Sequence, residues 1–285
     1  MLSKSQGEPR VAVVTVNYGS ESVLGSFLSS VNTATIHPVA VVVADNKPSQ
    51  ASAGLASAYG SAHLALPANP GYGGAVNAAV ATLPPSIDWI LVANPDVVLD
   101  ESAIDTLVDA GDADSHIGSL GPAVRNPDGT LYPSARRVPS LRVGIGHALF
   151  AGIWPSNPWT RRYHEQSSPT RRDAGWLSGS CVLIRRSAFD AIGGFDPDYF
   201  MYFEDVDLGY RLGRAGYRNV YEPGATATHS GGHSTRQDSA AMVEAHHQSA
   251  KRFVSRKYPG LALGPIRFVI SVGLRVRARL ISRKL

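Results

Sequence analysis

A carboxylate stands at the end of an apolar strand pattern in the sequence ANPDVVLD, residues 93 to 100. The preceding letters WILVA predict a buried strand, and Asn94, Pro95 and Asp96 follow it directly. Residues of these types often begin a turn, and an aspartate in this place can also bind a divalent cation through oxygen. Whether Asp96 begins a turn or binds a metal depends on which other side chains lie at the same edge of the fold.

A second group of acidic side chains lies in GGFDPDYFMYFEDVDLGYRLGRAGY, residues 193 to 217. The spacing of apolar residues predicts a helix that begins near Glu204 and ends at Gly213 or Gly216. Three carboxylates, Asp205 among them, then fall in its first turn, where the helix dipole alone would favour them. Because aromatic residues precede them, the other interpretation is a partly desolvated general base that acts on a bound hydroxyl.

Strand and helix patterns alternate through the first hundred residues and would position these groups. Short β-branched runs predict four buried parallel strands, at 11–16, 39–44, 62–66 and 88–93. Amphipathic stretches predict the intervening helices, at 21–33, 51–60, 71–83 and 101–110. Repeated units of this kind form a doubly wound sheet, whose ligands bind beyond the carboxyl ends of its strands.

Polar residues follow all four of these predicted strands. They are Asn17, Asp45, Asn69, Asn94 and Asp96. Each could cap a helix or start a turn, but their joint occurrence favours a shared binding site. The stretch NPGYGGAVN also opens a helix with glycines, which allow backbone N–H groups to approach a phosphate or sugar. It matches neither GxGxxG nor a P-loop, so a dinucleotide or ATP site has little support.

Several motifs together resemble a known family. They are VVTVNY, VVVADN, ANPGYGGAVN, VANPDV, GWLSGSCVLIRRSAF and FEDVDLGYRL, and they are similar to those of family 2 glycosyltransferases with the GT-A fold. GPAVRNPDGTLYPSARRVPSL and WPSNPWT resemble the actinobacterial enzymes that transfer L-rhamnose from dTDP-rhamnose to polyprenyl-diphospho-N-acetylglucosamine in cell-wall linker synthesis. The resemblance implies an α/β fold with a Rossmann-like, mostly parallel mixed sheet flanked by helices.

The resemblance also implies roles for the acidic residues. Asp205 would be the base of an inverting single displacement, with Glu204 as its neighbour. Asp96 would bind Mg²⁺ or Mn²⁺ between the donor phosphates, and His229 would complete the metal site. Gly231 and Gly232 would let the loop after His229 close over the donor diphosphate.

The donor and acceptor sites follow from the same comparison. Asp45 would accept a hydrogen bond from a pyrimidine N3–H. The full donor set is Thr15, Asn17, Asp45, Asn69, Gly71, Gly73, Asn94 and Asp96. Trp176, Ser178 and Gly179 would border the acceptor, although a buried core position is the alternative for Trp176. Pro48 departs from the usual D-N-x-S pattern, and this leaves dTDP and UDP donors both open.

The composition agrees with a soluble enzyme that works at a membrane. No apolar run reaches the roughly 18 to 20 residues that span a bilayer. The single cysteine, Cys181, excludes internal disulfides, and MLSKSQGEPR lacks the apolar core of a signal peptide, so a cytoplasmic protein is expected. Residues 251 to 285 carry a net charge of +10, while the first 250 residues carry −6.

The basic end predicts an amphipathic helix on an anionic membrane surface, with a solvated disordered end as the alternative. Nucleic-acid binding is disfavoured because the body of the chain is acidic. We therefore expect a disordered segment at 1–9, a catalytic domain at 10–255 and a helical basic extension at 256–285, peripheral to the inner face of the plasma membrane. The open alternatives are transfer of another hexose or galactofuranose to a different glycolipid, and a catalytically silent sugar-nucleotide-binding protein that docks to membranes.

Overall fold

The computed structural model describes residues 7–140, 170–231 and 239–260, together with residue 264. The WPSNPWT motif, Gly232 and nearly all of the predicted basic extension lie outside these residues.

Strands and helices alternate through the first half of the chain, as predicted. The prediction that the strand at Ala62–Ala65 is buried is wrong, because this strand lies at the edge of the sheet and is partly exposed. The strands are β1 Val11–Asn17, β2 Val39–Asp45, β3 Ala62–Ala65, β4 Trp89–Ala93, β5 Val97–Leu99, β6 Ile117–Arg125, β7 Ala135–Arg136, β8 Arg172–Ala174, β9 Trp176–Leu177, β10 Cys181–Arg185 and β11 Arg218–His229. The helices are α1 Glu21–Val31, α2 Gln50–Ala58, α3 Gly71–Val80, α4 Ala103–Asp112, α5 Arg186–Ala191, α6 Glu204–Arg214 and α7 Ser239–Lys257.

The bounds of these elements differ little from the predicted ones. Helix α3 ends at Val80 instead of residue 83, because Pro84 disfavours a helical backbone in the residue before it. Helix α6 begins at Glu204, as the spacing predicts. Helix α7 continues to Lys257, across the boundary predicted at residue 255.

The central sheet has the strand order β3-β2-β1-β4-β10-β6-β11-β5, and β8 pairs with β11 outside this path. Strands β3, β2, β1 and β4 are parallel to one another. Strand β10 then inserts between β4 and β6 and is antiparallel to both. A separate ribbon pairs β7 with β9. The predicted α/β class with a mixed sheet is confirmed.

Two apolar layers cover the two faces of this sheet. One is formed by α1 and α4 and includes the fully buried Phe27 and Leu107. The other is formed by α3 and α5 and includes Val76 and Phe195. With both faces buried, the carboxyl ends of the parallel strands are the part of the sheet left to bind a ligand.

Cys181 is the first residue of β10 and is buried, with no disulfide partner. Burial raises the pKa of its thiol to about 12. Among the helices within the described ranges, none has the length and apolar character required to cross a bilayer.

Candidate active site

The ends of β1 and β2 hold the first pair of predicted site residues together. Asn17 lies opposite Asp45 in the parallel register, and Asn17 Nδ2 donates to Asp45 Oδ1 over 3.0 Å. The backbone N–H of Lys47 donates to the same oxygen. His63 Nε2, on the neighbouring strand β3, lies 3.0 Å from Asp45 Oδ2. The carboxylate is therefore fixed from three sides.

These contacts determine the charge of Asp45. Burial opposes ionisation, but bonds from Ser52, His63, Lys47 and Asn17 outweigh it, so the pKa of Asp45 lies below its ordinary value of 3.8. The side chain is an acceptor at neutral pH. Beside it on β1, the buried Thr15 Oγ1 has no hydrogen-bond partner among the described residues.

The glycines in the first turn of α3 are packed against the loop that precedes α6. A Cβ on Gly71 would lie 2.1 Å from the carbonyl oxygen of Phe200, and one on Gly73 would lie 2.8 Å from Phe195 Cβ. The N–H of Gly71 donates to Asn69 Oδ1, and the N–H of Tyr72 donates to Phe200 O. Packing thus explains both glycines, and these two N–H groups are already bonded.

The predicted metal ligands lie next to each other. Asp96 follows β4 and His229 ends β11, and Asp96 Oδ1 is 3.1 Å from His229 Nε2. Asn94 Nδ2 is 3.4 Å from the same nitrogen. Adjacent ligands on octahedral Mg²⁺, with bonds of about 2.1 Å, lie about 3 Å apart, so the pair suits a divalent cation. Within the described ranges, no third His, Cys, Asp or Glu joins them.

Helix α6 presents the predicted base at its first turn. Tyr202 and Phe203 just before it have positive φ values of 65° and 66°. Asp205 Oδ2 accepts the N–H of Gly179 over 3.0 Å, and Oδ1 accepts the N–H of Val206. Glu204, by contrast, is buried, and its Oε2 has no hydrogen-bond partner among the described residues.

The two neighbouring carboxyl groups therefore have different affinities for a proton. Burial and the adjacent charge of Asp205 raise the pKa of Glu204 to about 8. Burial also raises the pKa of Asp205, but the two N–H bonds and the charge of Arg136 oppose this increase. Asp205 consequently ionises first and Glu204 keeps its proton at neutral pH. A difference in pKa between two neighbouring carboxyl groups allows one to act as a base while the other stays neutral.

Tyr72 connects the first turn of α3 to the base. Its hydroxyl donates to the carbonyl of Gly179 over 2.6 Å, and the N–H of Gly179 in turn donates to Asp205. Burial, followed by the charges of Glu204 and Asp205, raises the pKa of Tyr72 well above its ordinary value. The phenol thus stays neutral and acts as a donor that holds the peptide of residue 179.

The turn at 178–180 joins the base to the metal pair. Ser180 O accepts the N–H of Asn94 over 2.9 Å, while Ser178 is tied to the β7 ribbon through Ser134 O. Ser178 and Gly179 therefore lie between the end of β4 and the start of α6.

Trp176 is mostly covered by protein. Trp176 is 9% exposed, and its Nε1 donates to Arg137 O. A Cβ added to Gly209 would lie 2.6 Å from the Cβ of Trp176, so the tryptophan packs closely on α6. The guanidinium of Arg136 lies over the ring, 5.5 Å from its centroid. This burial favours the core alternative for Trp176, and the group beside it that can meet a ligand is Arg136.

Asp207, the third carboxylate of the α6 first turn, is committed to ion pairs. It is fully buried and accepts Arg211 Nε over 2.6 Å. Arg256 of α7 donates to the same carboxylate and also lies 2.6 Å from Asp196 Oδ2. Asp207 thus anchors α7 to α6 and is not available as a base.

Three residues at this site could not be predicted from the sequence. His63 is a single polar residue in a short strand, and Tyr72 lies between two glycines. Arg136 belongs to the quoted motif GPAVRNPDGTLYPSARRVPSL but received no role. Spacing along the chain could not assign them, because the partners of each come from other elements of the fold.

Comparisons with known proteins show the family to which the chain belongs. Residues 9–250 match the glycosyltransferase-like family 2. The chain is 45% identical over 284 residues to the N-acetylglucosaminyl-diphospho-decaprenol L-rhamnosyltransferase of Mycobacterium tuberculosis, covering 95% of this chain and 92% of the relative. It is 28% identical over 253 residues to the rhamnosyltransferase WbbL of Escherichia coli K12, covering 87% and 93%.

Two solved structures share the fold at low sequence identity. The mannosyltransferase PcManGT of Pyrobaculum calidifontis, in complex with GDP-Man and Mn²⁺, has a TM-score of 0.60 at 14% identity and covers 94% of this chain and 70% of that one. GalNAc-T7 with UDP, GalNAc and Mn²⁺ has a TM-score of 0.62 at 16% identity, covering 88% and 48%. Since the family match and the relatives at higher identity span most of the sequence, this chain belongs to the glycosyltransferase-like family 2 and is a glycosyltransferase.

Proposed function

We propose that the protein transfers L-rhamnose from dTDP-L-rhamnose to polyprenyl-diphospho-N-acetylglucosamine, with inversion at the anomeric carbon. Identity of 45% to a rhamnosyltransferase with a decaprenyl-diphospho-N-acetylglucosamine acceptor supports this choice of substrates. The observation that carries the reaction type is the position of Asp205. Its carboxylate accepts the N–H of Gly179, which belongs to the turn at 178–180 that also contacts the residue after β4.

In the proposed reaction, Asp205 takes the proton of the acceptor hydroxyl as that oxygen bonds to the anomeric carbon. The bond from this carbon to the diphosphate breaks in the same step, and its electron pair leaves with the diphosphate. Glu204 retains its own proton at neutral pH and does not compete for the acceptor proton. General-base catalysis of this kind contributes about 10² to 10⁴-fold to the rate.

The donor would lie along the ends of β1, β2 and β4. The proposed contacts are Thr15, Asn17, Asp45, Asn69, Gly71, Gly73, Asn94 and Asp96. Asp45 is kept ionised by its partners, which suits it to accept a pyrimidine N3–H. Trp176, Ser178 and Gly179 remain the proposed acceptor side, with Trp176 in a supporting position because it is nearly buried.

Asp96 and His229 would hold Mg²⁺ or Mn²⁺. Such a cation supplies positive charge to a departing diphosphate. The described pair fits this role because an oxygen and a nitrogen ligand already lie 3.1 Å apart. Asn94 contributes a neutral amide next to them.

The basic end of the chain is proposed to hold the enzyme at the cytoplasmic face of an anionic membrane, where the lipid-linked acceptor lies. Each Lys or Arg near such a surface contributes about 1 kcal/mol. Removal of residues 262–285 should abolish co-sedimentation with anionic vesicles and lower activity on a lipid-linked acceptor. Activity on a short water-soluble acceptor should remain. Equal loss on both acceptors would contradict membrane docking as the function of the segment.

A donor panel tests the proposed function directly. The purified enzyme is assayed with dTDP-rhamnose, UDP-hexoses and UDP-galactofuranose on a lipid-linked N-acetylglucosamine acceptor, with and without EDTA. We expect turnover with dTDP-rhamnose and its loss in EDTA. Preference for another donor would establish the alternative hexosyl or galactofuranosyl transfer, and absence of turnover with every donor would favour a silent binding protein.

A further inference from the structure

One arginine at the site has a side chain that the reaction described above does not use. Arg136 is on β7, directly opposite Trp176 in the antiparallel register of the β7–β9 ribbon. Opposed residues of a ribbon place their side chains on the same face. Ala135 and Leu177, the other opposed pair, are both buried, so Arg136 and Trp176 share the opposite face.

The guanidinium of Arg136 lies over two aromatic rings. Its central carbon lies 5.6 Å from the centroid of Tyr132 and 5.5 Å from that of Trp176. Its Nε donates to Pro133 O over 2.6 Å. The two rings limit the movement of the group and the Nε bond occupies one of its edges, which leaves the edge with the two terminal nitrogens for another partner.

Within residues 7–140, 170–231 and 239–260, no carboxylate lies within ion-pair distance of this guanidinium. The positive charge is nevertheless close enough to lower the pKa of Asp205. Tyr132, which contacts Arg136, also meets the ring of His229 edge-on at 6.1 Å. Arg136 thus lies near the base and is connected to the metal pair through Tyr132, in the region where the anionic groups of both substrates would come together.

We infer that Arg136 binds a diphosphate group of the substrates through its two terminal nitrogens. This inference rests on the proposed function, in which the donor and the acceptor each carry a diphosphate. A fixed planar guanidinium matches phosphate oxygens in a two-point contact, and an ammonium group does not reproduce that geometry. Arg136 would also offset negative charge beside Asp205 when the substrates bind.

Calorimetry distinguishes whether Arg136 binds the diphosphate of the donor or that of the acceptor. The probes are dTDP, for the donor, and farnesyl diphosphate, for the acceptor lipid, each titrated with Mg²⁺ into the full-length protein. The variants are Arg136→Gln and Arg136→Lys. The matched control is Arg137→Gln, which removes the same charge from the next residue of the chain, an exposed position just beyond β7.

We expect Arg136→Gln to weaken binding of one probe about tenfold or more, as for a lost charge-assisted pair of hydrogen bonds. Arg136→Lys should recover only part of the affinity, and Arg137→Gln should stay within about twofold of wild type. The probe that loses affinity identifies the source, and loss for both means that the two diphosphates share this residue. Equal affinities in wild type and Arg136→Gln for both probes, or binding of neither probe to wild type, would overturn the inference.

A kinetic readout distinguishes this role from mere support of Trp176. With a lipid-linked acceptor, loss of a diphosphate contact should raise KM more than it lowers kcat. A fall in kcat alone, with unchanged probe affinities, would contradict the inference. Failure of the proposed function itself has a different signature, since wild-type protein would then not transfer rhamnose from dTDP-rhamnose at all.

Discussion

Replacing Glu204 with glutamine should stabilise the protein at neutral and alkaline pH. The pKa of Glu204 is raised from its ordinary value of 4.5 to about 8, mainly because the side chain is buried. The folded state therefore holds a proton that the unfolded chain releases. Stability from this group is complete below the ordinary pKa and falls as the pH rises toward about 8. A glutamine is neutral at every pH and avoids that loss.

The size of the effect follows from the same values. Each pH unit between the unfolded and folded pKa lowers stability by about 1.4 kcal/mol, so the loss at pH 7 is about 3 kcal/mol. The gain of Glu204→Gln over wild type should be absent near pH 4.5 and grow steadily to that value. Turnover at pH 7 should stay within about twofold of wild type, because Glu204 is already neutral there.

Urea unfolding of both proteins between pH 4.5 and 8.5 measures this difference. Glu101→Gln, which removes an exposed carboxylate, serves as the control and should give a small, pH-independent change. Two parallel curves for wild type and Glu204→Gln would refute the assignment of a buried neutral acid. A loss of turnover as severe as that of a base mutant would refute the division of roles between Glu204 and Asp205.

Three further predictions concern the catalytic groups. Asp205→Asn should lower kcat by about 10² or more with donor affinity nearly unchanged, as measured by steady-state kinetics and donor calorimetry; near-normal turnover would remove Asp205 from its role. Asp96→Ala should weaken donor binding and activity together, and excess cation should not restore them. His229→Ala should have a smaller effect because water can replace a neutral ligand. Activity that survives EDTA would contradict both expectations. Tyr72→Phe should lower kcat at pH 7 about fivefold for a lost hydrogen bond. It should also move the acidic limb of the pH–kcat profile to higher pH, because Tyr72 no longer holds the peptide whose Gly179 N–H supports Asp205. An unshifted limb would mean that Tyr72 contributes only packing.

The first half of the fold could be predicted because β1, β2 and β4 are rich in β-branched residues and are followed by polar residues. The register of β1 against β2 then brings Asn17 to Asp45, as the shared strand edge requires. The insertion of β10 between β4 and β6 could not be predicted in this way. Its pairing joins segments distant in the chain, and only packing of the complete core decides such an order.

The residues of the site also divide into those that the sequence predicts and those that depend on the complete fold. Asp96, Asp205 and His229 belong to motifs in which neighbouring letters suggest a role, and the structure places Asp96 beside His229. The neutral state of Glu204 could not be predicted, because it depends on burial by surrounding elements. The contact of Arg136 with Trp176 likewise arises from a ribbon whose two strands are separated by residues 137–175.

The buried thiol of Cys181 makes the wild-type chain a convenient background for chemical probes. A thiol with a pKa of about 12 and no access to solvent reacts slowly with maleimides while the fold is intact. A cysteine introduced on the surface can therefore be labelled selectively without replacing the native one. The rate at which Cys181 itself becomes reactive reports how often the sheet opens between β4 and β6, which gives a measure of local opening in the same protein that is used for catalysis.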